Sequence, residues 1–149
     1  MSKKIVNNLY EQALKEAKKK KPDIEKVFSL LTKSLESGDM KAAYALGTWY
    51  LHGNHVKRNM RIAIQLLKQA AQENIPDALY DLAVCYEKGA GTIKSEKKAF
   101  EYYLRASLYG DAQSTYEVGR CYYYGIGVHK DKHISKVWFD RAMALGITE

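Results

Sequence analysis

The chain has 149 residues, of which 46% are hydrophobic and 28% are charged, a balance typical of one folded domain that excludes a disordered chain. No apolar run approaches the ~20 residues of a membrane-spanning helix, and the charged N-terminus lacks the apolar core of a secretory signal. The 2 cysteines are too few for a disulfide scaffold. We therefore expect a cytoplasmic protein with reduced thiols.

Helical periodicity predicts eight helices in consecutive pairs. N-cap residue types precede the second helix of every pair, and glycine or asparagine, which tolerate a left-handed backbone, follow it. The predicted helices span about 4–19 and 24–37, 40–52 and 60–73, 76–88 and 96–109, and 112–124 and 132–145. The N-caps are Asp23, Asn59, Ser95 and Asp131, and the terminating residues are Gly38, Asn74, Gly110 and Gly146.

The sequence repeats with a period of 36 residues. The matches include Gly53, Gly89 and Gly125, and also Tyr50, Tyr86 and Tyr122. A period of this length indicates stacked pairs of helices. We predict one solenoid domain over residues 1–149, with repeats at 39–74, 75–110 and 111–146. Residues 1–38 are interpreted as a degenerate N-terminal capping unit with a solvated outer face, whose first helix ends in the run Lys18–Lys21, where positive charge suits the helix dipole.

The strings AYALGTWYLHG, ALYDLAVCYEKGAGT and STYEVGRCYYYGIGV resemble the Sel-one-like repeat, a relative of the tetratricopeptide repeat. The resemblance covers residues 39–146. It implies an all-α, right-handed solenoid of helix–turn–helix pairs, and a role as an interaction scaffold or adaptor, without naming a partner. The first copy departs from the pattern in its loop, where His55 stands at the position of the second glycine.

No set of residues in the sequence has the pattern of a catalytic site. We therefore predict no enzyme activity, no cofactor and no metal site. The four histidines fall into two pairs that lie two repeats apart, so they cannot form one metal site. They are His52, His55, His129 and His133. Cys85 and Cys121 occupy one position in consecutive repeats, where the helix spacing is too wide for a disulfide, and we expect free, semi-buried thiols.

Residues that change between repeats at helical spacing are free to serve a partner. Four such positions form a stripe on the first helix of each repeat, and stacking is predicted to set the three stripes side by side on a concave, protein-binding groove. The alternative is a solvated face without a partner. The stripes are Lys41, Ala45, Thr48 and His52; Asp77, Asp81, Val84 and Lys88; and Gln113, Glu117, Arg120 and Tyr124.

The net charge of +7 lies entirely in the first half of the chain. It suggests a nucleic-acid-associated protein as the alternative function. A surface that follows a nucleic-acid backbone is usually continuous, so we expect nucleic-acid binding to be weak and salt-sensitive. Measuring affinity against ionic strength would separate the two functions, because phosphate contacts weaken steeply with salt.

The last helix carries more apolar surface than one neighbouring helix pair covers, and no capping element follows Gly146 before the chain stops. We therefore expect part of that surface to be exposed, and the end to self-associate as a homodimer or to dock on a partner through Val137, Trp138 and Met143. The alternative is that Trp138 packs within its own repeat.

Overall fold

The protein is all-helical throughout the part described by the computed structural model, which covers the backbone of residues 3–148 and the side chains of residues 8–148. Eight helices follow one another there, without a strand, as the sequence predicts. They are α1 (Lys3–Ala17), α2 (Ile24–Glu36), α3 (Met40–His52), α4 (Met60–Gln72), α5 (Pro76–Lys88), α6 (Glu96–Leu108), α7 (Ala112–Tyr124) and α8 (Lys132–Ala144).

The helix boundaries follow the predicted capping chemistry. Helices α3, α5 and α7 begin and end at the predicted residues, whereas α4, α6 and α8 end one residue early. The reason is that Glu73, Tyr109 and Leu145 have ψ values of 12°, 14° and 3° and already form the cap. The terminating residues Gly38, Asn74, Gly110 and Gly146 all adopt the predicted left-handed backbone.

All four predicted N-caps are confirmed by hydrogen bonds. Asp23, Asn59, Ser95 and Asp131 each accept a bond from the backbone N–H three residues later, at 3.0–3.2 Å. Asp39 and Asp111, which the sequence analysis did not single out, cap α3 and α7 in a similar way. Six of the eight helices therefore start at a side chain that satisfies an otherwise unpaired N–H group.

The run Lys18–Lys21 lies in the turn after α1, and the prediction that it ends the helix is wrong. A buried carboxylate organises this turn: Glu16 accepts hydrogen bonds from the Lys19 ammonium at 2.7 Å and from the Asp23 backbone N–H at 3.1 Å, with Lys26 3.6 Å away. These two bonds, Lys19 first, lower the pKa of Glu16 although burial opposes its charge.

The helices form two compact units, the N-terminal unit Met1–Glu73 with α1–α4 and the C-terminal unit Asn74–Glu149 with α5–α8. Within each unit every helix packs on the next one along the chain. Each unit therefore contains two helix pairs. A single solenoid domain over residues 1–149, with residues 1–38 as its cap, stays a prediction.

The core of the N-terminal unit follows the repeat register. Val27, Leu31 and Ser34 are buried in α2, as expected for a degenerate copy of the repeat. Helices α3 and α4 approach closely at Gly47, where an added Cβ would lie 3.2 Å from a methyl carbon of Leu67. This helical glycine is therefore a site of close packing between α3 and α4.

The core of the C-terminal unit has a tighter contact of the same kind. An added Cβ at Gly119 would lie 2.8 Å from the ring of Phe139. The Ser135 hydroxyl donates a hydrogen bond of 2.9 Å to the Gly119 carbonyl, which holds α8 against α7 at this point. The large side chains of Leu79 and Tyr103 are buried elsewhere in the unit, and each such burial contributes about 1.5–3 kcal/mol to folding.

Over residues 3–148, no helix combines the length and the apolar character that crossing a membrane requires.

Candidate interaction surface

The twelve residues of the predicted stripes all lie outside the core. In each of α3, α5 and α7 the first and last members of the stripe are exposed and the middle two are half-buried. The neighbouring helix positions include the buried residues Ala42, Leu46, Ala78, Leu82 and Val118. Each stripe is therefore the outward side of a helix whose other side builds the core.

The exposed ends of the stripes on α5 and α7 belong to the C-terminal unit. They are Asp77 and Lys88 on α5, and Gln113 and Tyr124 on α7. Tyr124 is 66% exposed, and its ring packs edge-to-face on Tyr123 with 4.8 Å between the ring centroids. An exposed aromatic pair of this kind is typical of protein interfaces.

The middle of the α7 stripe is held by an ion network. Arg120 Nε donates to Glu117 Oε2 at 2.6 Å, and Arg120 Nη2 donates to Glu87 Oε2 on α5 at 2.8 Å. The Tyr103 hydroxyl on α6 donates to the same Glu87 oxygen at 2.9 Å. The side chains of Arg120, Glu87 and Glu117 are only 25%, 22% and 13% exposed. The network therefore joins three helices away from full solvent contact.

The electrostatics of the network favour its ionised form. Burial acts to raise the pKa of Glu87, but hydrogen bonds from Arg120 and Tyr103 outweigh burial, so that the pKa is lowered. Burial likewise acts to lower the pKa of Arg120, and its bonds to Glu87 and Glu117 reverse the effect and raise that pKa. Burial, followed by the bond to Glu87, raises the pKa of Tyr103.

Glu117 and Arg120 were expected to face a partner. In the structure they pair with each other, and Arg120 also pairs with Glu87. The sequence analysis missed Glu87 as a member of this set. The available signal was its register position, because Leu51 and Tyr123 stand there in the other repeats. A carboxylate at a position otherwise occupied by apolar or aromatic residues indicates a specific polar contact.

The stripe on α3 lies in the N-terminal unit and has a different character. Its middle is closed by a hydrogen bond of 2.7 Å from the Thr48 hydroxyl to the Ala45 carbonyl of the same helix. At its ends, His52 is exposed, and the Lys41 ammonium lies 5.9 Å from the centroid of the Tyr10 ring. Only these ends offer polar groups to an outside molecule.

The histidines and cysteines do not come together. Among the described residues, no three histidine, cysteine, aspartate or glutamate side chains are grouped so as to hold a metal ion. Cys85 and Cys121 form no disulfide, and both are buried rather than semi-buried as predicted. Burial raises the pKa of Cys121 to about 12.

We expect both thiols to resist alkylation in the folded protein, because the reactive species is the thiolate and burial suppresses it. Mass spectrometry after iodoacetamide treatment at pH 8 measures the labelling. The Tyr124→Cys variant supplies an exposed thiol as a matched control and should be labelled at that site alone. Labelling of Cys121 as fast as that of the exposed thiol would contradict the prediction. As a further control, both native thiols should react when the protein is unfolded in denaturant.

The outer face of α8 is apolar and open in the described structure. Val137 and Met143 are 65% and 58% exposed, and Leu145 just after the helix is also exposed. Trp138 is half-buried, with the Arg141 guanidinium 5.8 Å from its ring centroid. The exposed apolar surface expected in this region is present, while Trp138 lies partly within its own repeat.

The comparison with known families agrees with the repeat register. The sequence model described as Sel1 repeat matches residues 41–75, 76–111 and 112–147 in succession. The chain belongs to the Sel1 repeat family. These three Sel1 repeats coincide within two residues with the repeats predicted from the 36-residue period.

Solved structures of other proteins share the fold. A Sel1 repeat protein from Oxalobacter formigenes is 37% identical, with a TM-score of 0.72 over 78% of this chain and 88% of its own. A protective antigen of uropathogenic Escherichia coli strains with an SLR fold is 23% identical, with a TM-score of 0.90 over 95% of this chain and 31% of its own. Cysteine rich protein B of Helicobacter pylori is 24% identical, with a TM-score of 0.65 over 75% of this chain and 90% of its own.

The Sel1 assignment establishes the fold class and indicates the role that is general in the family. The all-α solenoid class predicted from the sequence is confirmed by these neighbours. Sel1 repeat proteins are generally protein-interaction scaffolds and are typically not enzymes. The family therefore favours a protein as the partner of this chain.

Proposed function

We propose that the protein is a non-enzymatic scaffold or adaptor of the cytoplasm that binds a segment of another protein along the stripes of its repeats. The observation that supports this proposal is the exposure pattern of the three stripes. The residues that vary between repeats lie outside the core, while positions between them are buried. A repeat protein uses such positions to recognise partners, because the stack does not constrain them.

The binding surface is assigned mainly to the ends of the stripes on α5 and α7. Asp77, Lys88, Gln113 and Tyr124 offer charge, an amide and an aromatic ring, the mixture typical of a recognition surface. Glu117 and Arg120 present the rigid middle of this surface, because their side chains are already ordered by each other. A preordered side chain costs less entropy when a partner docks against it.

The Lys88→Glu and Tyr124→Ala double variant is expected to weaken partner binding at least about tenfold while the melting temperature changes by only a few degrees. Both side chains are exposed, and exposed substitutions typically change stability by about 0.5 kcal/mol or less. Photocrosslinkers placed at residues 88 and 124 would first capture the partner for purification. Calorimetric titration of that purified partner then gives the change in affinity.

A matched control for this variant is Lys97→Glu, which reverses the charge of an exposed lysine on α6 in the same unit. It should leave affinity unchanged. Equal affinity of the double variant and the wild type would refute the assigned surface. A purified partner that is a nucleic acid, bound with a steep loss of affinity in salt, would instead favour the alternative function through the basic first half of the chain.

We also propose that the exposed face of α8 docks a second copy of the chain. Light scattering at rising concentration should show the mass of the wild type increasing, and the Val137→Lys and Met143→Lys double variant should remain monomeric. The reason is that two lysines in this face prevent burial of its apolar surface. The prediction would be contradicted if the wild type stays monomeric at high concentration and the double variant still binds every partner that the wild type binds.

A further inference from the structure

The N-terminal unit contains an open aromatic pocket at the junction of α2, the end of α3 and the loop that follows. It has a volume of about 260 Å³ and is lined by Ile24, Glu25, Phe28, Trp49, His55 and Val56. Four of these residues are half-buried, and Glu25 and His55 at the rim are exposed. This volume is below the range of about 300–1,000 Å³ that is usual for small-molecule sites. The pocket is therefore suited to one large side chain rather than to a larger ligand.

The equivalent junction in the C-terminal unit is closed. There Gly127, with φ 71°, packs on the first turn of α6. An added Cβ would collide with the Glu96 carbonyl and lie 2.9 Å from the Phe100 Cβ. Counting back 72 residues, Glu96 and Phe100 correspond to Ile24 and Phe28 of the pocket. The opening in the N-terminal unit is therefore a local departure from the repeat.

Two substitutions in the repeat pattern produce this departure, and the structure places them together. Trp49 stands where Cys85 and Cys121 stand in the other repeats, and His55 stands at the glycine position of the loop. His55 keeps the glycine-like backbone, with φ 62°, although it carries a side chain. Its ring lies 4.8 Å from the Trp49 ring, centroid to centroid, so the two unusual residues form one wall.

The geometry of this wall favours an apolar occupant over a cation. The Phe28 and Trp49 ring centroids are 6.0 Å apart, and the Trp49 and His55 centroids are 4.8 Å apart. Rings at these distances are in mutual contact, which leaves no space between them for an ammonium group, as an aromatic cage would need. Ile24 and Val56 complete an apolar lining on which a leucine or phenylalanine side chain can be buried.

The charge around the pocket indicates what should flank that side chain. Residues 1–73 contain 14 basic and 7 acidic residues, a net charge of +7, whereas residues 74–149 contain 10 of each. Lys21, Lys26, Lys57 and Arg58 lie within three positions of lining residues and are all exposed, and Lys26 also lies 3.6 Å from Glu16. Two carboxylates, Asp23 at the start of α2 and the lining residue Glu25, are exposed in the same range, so positive charge is in excess near the pocket. A partner segment with acidic residues on either side of the buried side chain complements this surface.

We propose that this pocket is a second protein-binding site, which takes one large apolar side chain from an acidic segment of a partner. The proposal rests on the proposed function, in that it assigns a partner chemistry to a protein-interaction scaffold. It concerns a site in the N-terminal unit, and the surface on α5 and α7 is not part of it.

The test uses nine-residue peptides in which a central leucine, phenylalanine or alanine is flanked by glutamate and aspartate, and matched peptides with lysine and arginine flanks. The indole N–H resonances of Trp49 and Trp138 are followed by NMR, and Trp138 serves as the reference outside the pocket. The acidic leucine and phenylalanine peptides should shift the Trp49 resonance saturably and leave Trp138 unchanged. The acidic alanine peptide should bind at least about tenfold more weakly than the leucine peptide, and the basic peptides should not bind.

Two variants remove the wall one residue at a time. His55→Asn keeps a residue type that tolerates the left-handed backbone, and Trp49→Cys introduces the residue type of the other repeats. His55→Asn should melt close to the wild type, whereas Trp49→Cys should melt at a lower temperature, because its ring packs on Phe28 and His55, and should remain folded by circular dichroism. Both should bind a fluorescein-labelled acidic leucine peptide at least about tenfold more weakly by anisotropy. Wild-type affinity in both variants, equal affinity for alanine and leucine peptides, preference for the basic peptides, or no Trp49 shift with any peptide would each overturn the proposal.

The two binding proposals fail separately. The Lys88→Glu and Tyr124→Ala variant should bind the acidic peptide normally, because its substitutions lie in the other unit. Loss of peptide binding in this variant would overturn the assignment to the pocket. If the pocket variants lose peptide binding while the stripe variant keeps full affinity for the purified partner, the pocket stands and the proposed surface on α5 and α7 fails.

Discussion

Replacing Arg120 with methionine is expected to lower the free energy of unfolding by about 2–3 kcal/mol. The substitution keeps much of the side-chain volume but leaves Glu87 and Glu117 without their shared guanidinium, 2.8 Å and 2.6 Å away in the wild type. Both carboxylates are then poorly solvated and close to the same site, so each opposes the charge of the other. Chemical denaturation followed by circular dichroism measures the loss.

Two further variants separate the network from a general effect of removing an arginine. Arg61→Met, at an exposed position on α4, should change stability by about 0.5 kcal/mol or less. Adding Glu87→Gln and Glu117→Gln to the Arg120 variant should recover part of the loss, because neutral amides need no cation. A loss in Arg120→Met no larger than that in Arg61→Met would show that the network does not stabilise the fold.

The network also predicts the direction of the pH dependence of stability. The pKa of Glu87 in the folded protein is below its ordinary value of 4.5. Its contribution is therefore complete above the unfolded pKa and is lost as the pH falls through the folded pKa. Between about pH 5 and pH 3, the wild type should lose more stability than the Glu87→Gln variant, as measured by melting temperature.

Replacing Gly119 with leucine is expected to destabilise the protein by about 3 kcal/mol or more, at the upper end of the range for overpacked cores. A Cβ alone would approach the Phe139 ring to 2.8 Å, and a leucine adds three further carbons in the same direction. The ring cannot retreat freely, because the Ser135 hydroxyl ties α8 to the Gly119 carbonyl one turn before Phe139. The melting temperature and the yield of folded protein report the effect.

The matched control is Ala144→Leu, which adds the same kind of side chain at an exposed position on α8 and should be nearly neutral. The Gly119→Leu and Phe139→Ala double variant should be more stable than Gly119→Leu alone, because removal of the ring makes room for the leucine. Coupling of this kind is expected for residues in contact. If Gly119→Leu has the same melting temperature as the wild type, the close approach of α7 and α8 is not a constraint on the fold.

Much of the fold could be predicted because it depends on local chemistry. The N-cap bond of Asn59 or Asp131 involves atoms three residues apart, and the left-handed turn at Asn74 is a property of one residue and its neighbours. The 36-residue period adds the information that each helix pair packs like the next. The misplaced end of α1 shows where local reasoning fails, since Glu16 reaches across the turn to the Asp23 backbone and Lys26.

The candidate sites were predicted less completely, for a physical reason. Variation between repeats correctly indicated positions outside the core, but it could not show whether a charged side chain there is paired. Arg120 finds Glu87 across 33 residues of sequence, and the pairing depends on how α5 and α7 are packed. The aromatic pocket was hidden in the same way, because it needs Phe28 and Trp49 from different helices.

The sequence by itself determined that the chain is helical, where its helices begin and end to within two residues, and that it is built from Sel1 repeats. Those properties arise from capping, periodicity and the conformational freedom of single residues, which act over a few positions. Only the tertiary structure decided which charged residues outside the core are paired, which glycine contacts are tight and where a pocket opens. Each of these depends on distances between side chains of different helices and loops, which the repeat pattern does not specify.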